Sequence, residues 1–180
     1  MQLQALHSLK QQLSKAAIWT EALEFNRWEY IKTAGTANTN LYFIEEGCAR
    51  VYFSEDSDEH CLYFGHSGSL ISALDSFLSE KPSSIVIQCI NKTKVKVIHK
   101  KTFHHFIQNN NEASNLWQQV LTDLMQWHLE REKDLLINSP ALRYERVLSR
   151  QPDLFQQIPH KYIASYLRMT PETLSRILNS

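Results

Sequence analysis

The chain has 180 residues, 43% hydrophobic and 21% charged, an ordinary globular balance with room for one large domain or two small ones. It contains no run of about 18 apolar residues, so no membrane span is encoded. Met1 to Leu13 lacks the apolar core of a signal peptide, and a cytoplasmic location is expected. Net charge is zero but uneven: residues 1–139 carry 13 Lys and Arg against 16 Asp and Glu, and residues 140–180 carry 6 against 3. The tail is the basic part, the sign a nucleic-acid partner requires. Cys48, Cys61 and Cys89 are odd in number and scattered, which argues against a disulfide framework and a zinc ribbon and for buried thiols.

Leu3, Leu6, Leu9 and Leu13 recur at helical spacing and predict an opening helix. From Trp28 the chain turns to short runs rich in aromatic and β-branched residues. Leu41 to Ile44 and Arg50 to Phe53 flank a turn at Glu45-Glu46-Gly47 and read as a hairpin. Cys61 to Phe64, Ile85 to Ile90 and Val95 to Ile98 read as further strands. Residues 28–100 are therefore expected to form a small all-β unit of sandwich or barrel type. Helical texture returns after Lys101. No proline or glycine interrupts 112–138, where Leu116, Val120, Leu124 and Trp127 share a face beside Trp117, Leu121, His128 and Leu135. A helix of that length, about 40 Å, exceeds what the β unit needs for cover and predicts packing against a second copy. The expected dimer contacts are Trp117, Val120, Leu121, Leu124, Trp127 and His128. Arg131 and Asp134 interrupt the stripe, so a perfect zipper is not expected. Asn138-Ser139-Pro140 ends this helix and starts a short one over Ala141 to Leu148, and Gln151-Pro152-Asp153 breaks the chain before the final segment. The organisation predicted is 1–111, a β unit with its opening helix; 112–138, a dimerisation helix; and 139–180, a small helical domain.

In the last segment Ile163 and Leu167 share one helical face, Met169 is apolar in a turn, and Leu174 and Ile177 share a face of the next helix. Ala164 is small where two helices approach. Together these predict a bent helix pair. Thr170 suits an N-cap and Pro171 the first helical position. The outer face then offers Glu172, Ser175 and Arg176, residue types that read base edges in the major groove. Lys161, Arg168, Thr170 and Thr173 are candidates for phosphate contacts. Arg168 occupies a turn position that favours positive φ and usually glycine.

Ile158 to Leu178 resembles the helix-turn-helix of the Crp/Fnr family of bacterial regulators, and Glu172-x-x-Ser175-Arg176 is closest to its Fnr-like branch. Upstream, Leu41 to Val51 resembles the family's β-roll, with glycine turns at Gly35 and Gly47. The resemblance implies an α+β fold: an N-terminal antiparallel β-roll like that of cyclic nucleotide-binding domains, a long dimerisation helix, and a C-terminal helix-turn-helix. It implies base contacts from Glu172, Ser175 and Arg176, and a homodimer on an inverted-repeat site in double-stranded DNA. RNA polymerase is a further candidate partner. Cyclic-nucleotide members carry a Gly-Glu pair and a Pro-Arg before the next strand. Here Pro82 is followed by Ser83, and Asp75 is the only plausible carboxylate. Asp75, Ser83 and Ser84 mark the corresponding pocket, and without the guanidinium cyclic AMP is not expected to bind; Lys81 would be a poor substitute. No cysteine precedes Cys48, against an iron–sulfur sensor, and no histidine, His104 and His105 included, has a context for haem. No cofactor and no metal are expected. Nothing after the recognition helix would form a wing, so phosphate contacts are expected to be fewer.

Two other functions remain. A ligand-binding β-roll with a vestigial DNA head would account for the low basic charge. Catalysis is not expected, because there is no nucleophile–base constellation, phosphate loop or metal-ligand spacing.

Overall fold

The structure, a computed structural model, describes residues 4–152, 156 and 158–179. Leu3 of the expected opening helix, Asp153 of the expected break and Ser180 lie outside them.

Helix α1 (Gln4–Lys15) buries Ala5, Leu6, Leu9 and Leu13, the helical spacing read from sequence. Eight strands follow: β1 (Glu21–Phe25), β2 (Tyr30–Lys32), β3 (Asn40–Glu46), β4 (Cys48–Glu55), β5 (Asp58–His66), β6 (Leu70–Ile71), β7 (Val86–Cys89) and β8 (Thr93–His99), with helix α2 (Leu74–Ser79) between β6 and β7. They form two antiparallel sheets, ordered β1-β8-β3-β6 and β2-β7-β4-β5. Tyr42, Ile44, Ala49, Val51, Ile71, Ile87, Val95 and Val97 fill the roll.

The hairpin expected between Leu41–Ile44 and Arg50–Phe53 does not form. β3 pairs with β8 and β6, β4 with β5 and β7, so the two strands lie in different sheets. Leu41 to Ile44 are buried on successive residues, as a strand covered on both faces requires. The chain turns the corner at Gly47, with φ of +92°, where a Cβ would lie 2.3 Å from the Lys92 carbonyl oxygen. The hairpin that does form joins β4 to β5 through Asp56 and Ser57, at φ of +49° and +73°, the two left-handed residues a tight β-turn favours.

Helix α3 (Lys100–Gln108) leads into α4 (Asn111–Leu136), whose first turn is capped by Asn110 accepting from the Ala113 amide at 2.9 Å. Ala113 and Val120 of α4 pack with Leu6, Leu9, Leu13 and Phe103 in a core beneath the first sheet. Among the described residues three shorter helices follow: α5 (Pro140–Arg150), α6 (His160–Tyr166) and α7 (Pro171–Leu178). Ser139 caps α5, and Pro140 stands in its first turn. The fold is mixed α+β, with two antiparallel sheets and helices at both ends.

Candidate functional site

Helices α6 and α7 meet around Ile163, Ala164, Leu167 and Leu174, all essentially inaccessible, with Val147 of α5 and Ile158 beside them. The turn between them places Arg168 at φ of +51°, a left-handed conformation costing a non-glycine residue roughly 1–2 kcal/mol. Arg143 of α5 holds that turn from below. Its Nε donates to the Leu167 carbonyl at 2.9 Å, its Nη2 to that of Arg168 at 3.0 Å, and its Nη1 to that of Ile137 at 2.5 Å. Sequence reasoning missed Arg143, because an exposed and a buried arginine look alike in a polar helix.

The Thr170 hydroxyl accepts from the Thr173 amide at 3.2 Å, the N-cap anticipated from Thr170-Pro171. Glu172, Ser175 and Arg176 all lie exposed on the outward face of α7. The Glu172 carboxyl is held below its ordinary value by its own backbone N–H and by the Thr170 hydroxyl, so it is ionised at neutral pH. Lys161 and Arg168 are exposed on the same helix pair. Thr170 and Thr173 are engaged with each other in the cap, their hydroxyls 3.2 Å apart.

The helix pair is seated directly on the β-roll. Ser165 of α6 accepts from the Cys61 amide at 3.0 Å and donates to the Glu59 carbonyl at 2.8 Å, covering the edge strand β5. Arg50 stacks between Tyr52 and Tyr162, 4.0 and 4.1 Å from the ring centroids, and pairs with Glu59. Arg131 of α4 donates to the Cys61 carbonyl at 3.2 Å and lies 3.7 Å over the Tyr166 ring. Asp134, 2% exposed, receives Arg146 at 2.8 Å and Arg150 from α5. Arg131 and Asp134, which interrupt the apolar stripe in sequence, are the residues by which α4 holds the C-terminal helices.

The residues expected to meet a second copy divide. Trp117, half-buried, packs on Phe103 with centroids 4.9 Å apart, and Val120 is buried in the chain's own core. Leu124 is half-buried, and Trp127 stands edge-on to Tyr63 at 6.2 Å. Leu121 and His128 are exposed, and beside them lie Met125 and Leu129, 63% and 53% exposed, which the sequence reading missed.

In the corner of the roll expected to hold a ligand, Asp75 and Ser83 come together and exposed Ser84 does not join them. The Ser83 hydroxyl donates to Asp75 Oδ1 at 2.9 Å. Lys32 enters the same corner, donating to the carbonyls of Thr33 (2.9 Å), Ser83 (3.0 Å) and Ile85 (2.5 Å). Its three N–H groups are thereby all engaged, and burial pulls its pKa down. The Tyr63 hydroxyl donates to the Ser72 carbonyl at 2.7 Å, and burial pushes its pKa up to about 12. Asp75 Oδ1 also accepts from the Ser76 amide at 2.7 Å, so the cation and the carboxylate of this corner are both engaged by the chain's own groups. Burial also pushes the thiols of Cys48 and Cys61 up to about 12 and that of Cys89 to about 11, so they are inert as nucleophiles. Among the described residues no cluster of His, Cys, Asp or Glu is placed to hold a metal, and no helix is long and apolar enough to cross a membrane.

Residues 22–110 match the family model for the cyclic nucleotide-binding domain. This segment has the cyclic nucleotide-binding fold. Over most of its length the chain is similar to solved structures. A variant of CooA from Carboxydothermus hydrogenoformans is 19% identical, covering 88% of this chain and 74% of that one, with a TM-score of 0.72. FixK2 from Bradyrhizobium japonicum is 19% identical over 88% and 82%, at 0.70. The c-di-GMP-responsive global regulator CLP of Xanthomonas campestris is 13% identical over 94% and 90%, at 0.71. At these identities the likeness is one of fold. No curated protein matches the chain by sequence.

Proposed function

We propose that the protein is a transcription regulator of the Crp/Fnr type, a cytoplasmic homodimer that reads an inverted repeat in double-stranded DNA. The observation that carries this reading is the outward face of α7. Glu172, Ser175 and Arg176 stand exposed there, on a helix anchored by buried Leu174 and capped by Thr170. Their chemistry matches base edges: Arg to guanine, Glu to cytosine, Ser to several bases. Lys161 and Arg168 flank them as cations for the phosphates. Two such helices related by a two-fold axis reach successive major grooves about 34 Å apart. RNA polymerase is the natural second partner of such a regulator. The test is selection of bound sites from a random duplex pool. A palindromic consensus supports the reading; retention without sequence preference overturns it.

The roll, in this reading, takes no cyclic nucleotide, because Lys32 and Ser83 are already engaged with the chain's own carbonyls and with Asp75. Cyclic AMP and cyclic GMP at millimolar concentration should leave the thermal midpoint unchanged; a saturable rise would overturn this.

A further inference from the structure

The turn between β1 and β2 carries a strained aromatic residue that the roll's own core does not require. Trp28 has φ of +70°, an outlier for a bulky side chain. The conformation is fixed from both sides: the Trp28 amide donates to the Cys89 carbonyl at 2.9 Å, and its carbonyl accepts from Gln88 Nε2 at 3.0 Å. Gln88 also binds Arg50 through Oε1, at 2.9 Å from Nε. Held in this way, the Trp28 ring stands edge-on to Tyr162 of α6, with centroids 6.1 Å apart.

A cation sits on each ring of that pair. The Arg27 guanidinium lies 4.6 Å from the Trp28 ring, and the Lys161 ammonium 4.7 Å from the Tyr162 ring. Both residues are exposed. The nearby carboxylates already have hydrogen-bond partners, although Glu59 also feels the charge of Lys161. Glu29 accepts from the Asn26 amide at 2.7 Å and from its Nδ2 at 3.2 Å, and Glu59 takes two donors from Arg50. Among the described residues neither Arg27 nor Lys161 has an ion-pair partner within 4.0 Å.

We propose that the β-roll itself contributes a DNA-backbone contact: the Trp28–Tyr162 ring pair carries the Arg27 guanidinium on one ring and the Lys161 ammonium on the other, so that phosphates flanking the base-read site meet a cation from each. This rests on the reading of α7 as a DNA reader and extends its surface onto the other domain. A guanidinium suits the role, since its planar fork binds phosphate oxygens two at a time and is weakly hydrated. The contact adds affinity and orientation without sequence information. An arginine that merely covers a tryptophan would leave DNA binding alone.

The test compares the full chain with Arg27→Ala on two duplexes, one carrying the selected consensus and one of random sequence, each titrated with salt. Arg27→Ala should weaken binding to both by the same factor. It should flatten the dependence of log K on log salt by roughly two per dimer, one phosphate per protomer. Arg27→Lys should restore most of that slope. If wild type discriminates between the duplexes and Arg27→Ala leaves slope and affinity unchanged, or loses affinity on the consensus alone, the roll contact is wrong and the reader stands. If wild type does not discriminate, the reading of α7 fails and the roll contact falls with it.

Discussion

The buried guanidinium of Arg143 donates from Nη2 to the backbone carbonyl of Arg168 at 3.0 Å. One arginine thus stabilises the left-handed turn that another adopts. Arg143 also satisfies the carbonyls of Leu167 and Ile137, which would otherwise be shielded from water without a partner. Replacing it by alanine removes charge-assisted bonds worth about 1.5–3 kcal/mol each and leaves the acceptors orphaned. Arg143→Ala should therefore lower stability by about 3 kcal/mol, read from the urea midpoint at constant slope. A loss under about 0.5 kcal/mol would mean water replaces the guanidinium at this turn.

Arg168 itself gives the opposite outcome. Its side chain is exposed and its backbone left-handed, so Arg168→Gly removes the steric cost while giving back some chain entropy. A gain of up to about 1 kcal/mol is expected in thermal unfolding. If Arg168 touches phosphate, the same variant binds consensus and random duplexes more weakly by an equal factor. A more stable protein with weaker binding separates the residue's two roles.

The contrast between these two arginines marks what was legible in the sequence. Arg168 was readable because it stands between two helices whose cap, Thr170-Pro171, fixes the register of the turn. Arg143 was not, since the two partners that tie it to the turn lie 24 and 25 residues away and are backbone atoms. The outward face of α7 was readable for the reason that hid the roll's corners: helix periodicity is local, whereas the pairing of β3 with β8 rather than β4 is decided by non-local cover. Arg131 and Asp134 looked like flaws in an apolar stripe. They face the C-terminal helices, and no spacing along α4 announces a contact with Cys61 or Arg150.

Ser165 joins the two halves of the molecule across 104 residues, accepting from the Cys61 amide and donating to the Glu59 carbonyl. Ser165→Ala leaves both groups of the β5 edge without this partner. A loss of about 1–2 kcal/mol is expected, and the Cys61 amide should exchange with deuterium faster than its neighbours in β5. Unchanged exchange at Cys61 would show that the helix pair shields the edge without this bond.

The Arg50–Glu59 pair gives the seat of the helix pair a pH dependence. The hydrogen bond from Arg50 holds the Glu59 carboxyl below its ordinary value of 4.5. A depressed carboxylate stabilises the folded state fully above its unfolded value and loses that contribution as pH falls through the folded one. The thermal midpoints of wild type and Glu59→Gln should therefore differ above pH 4.5 and converge as the pH is lowered further. A difference that persists undiminished in acid would assign the effect to packing of the side chain against Tyr52 rather than to its charge.

The outer face of α4 bears on the proposed dimer. Met125 and Leu129 are one helical turn apart, 63% and 53% exposed, with Leu121 a turn before them. That spacing suits the seam of a helix pair, and none of the described residues buries Met125 or Leu129. Val120, one residue from Leu121, is buried in the chain's own core. The two positions should respond differently to the same substitution. Leu129→Glu places a charge in the seam but not in the fold, so the chain should sediment as a monomer and melt as a folded protein. If α7 reads an inverted repeat as proposed, the variant should also lose affinity for the full site, because each copy must then bind its half-site alone. Val120→Glu buries an unpaired carboxylate and should unfold the region around α1 and α3 whatever the state of assembly. If Leu129→Glu remains a dimer by sedimentation, the two copies meet elsewhere and the exposed face of α4 needs a different occupant.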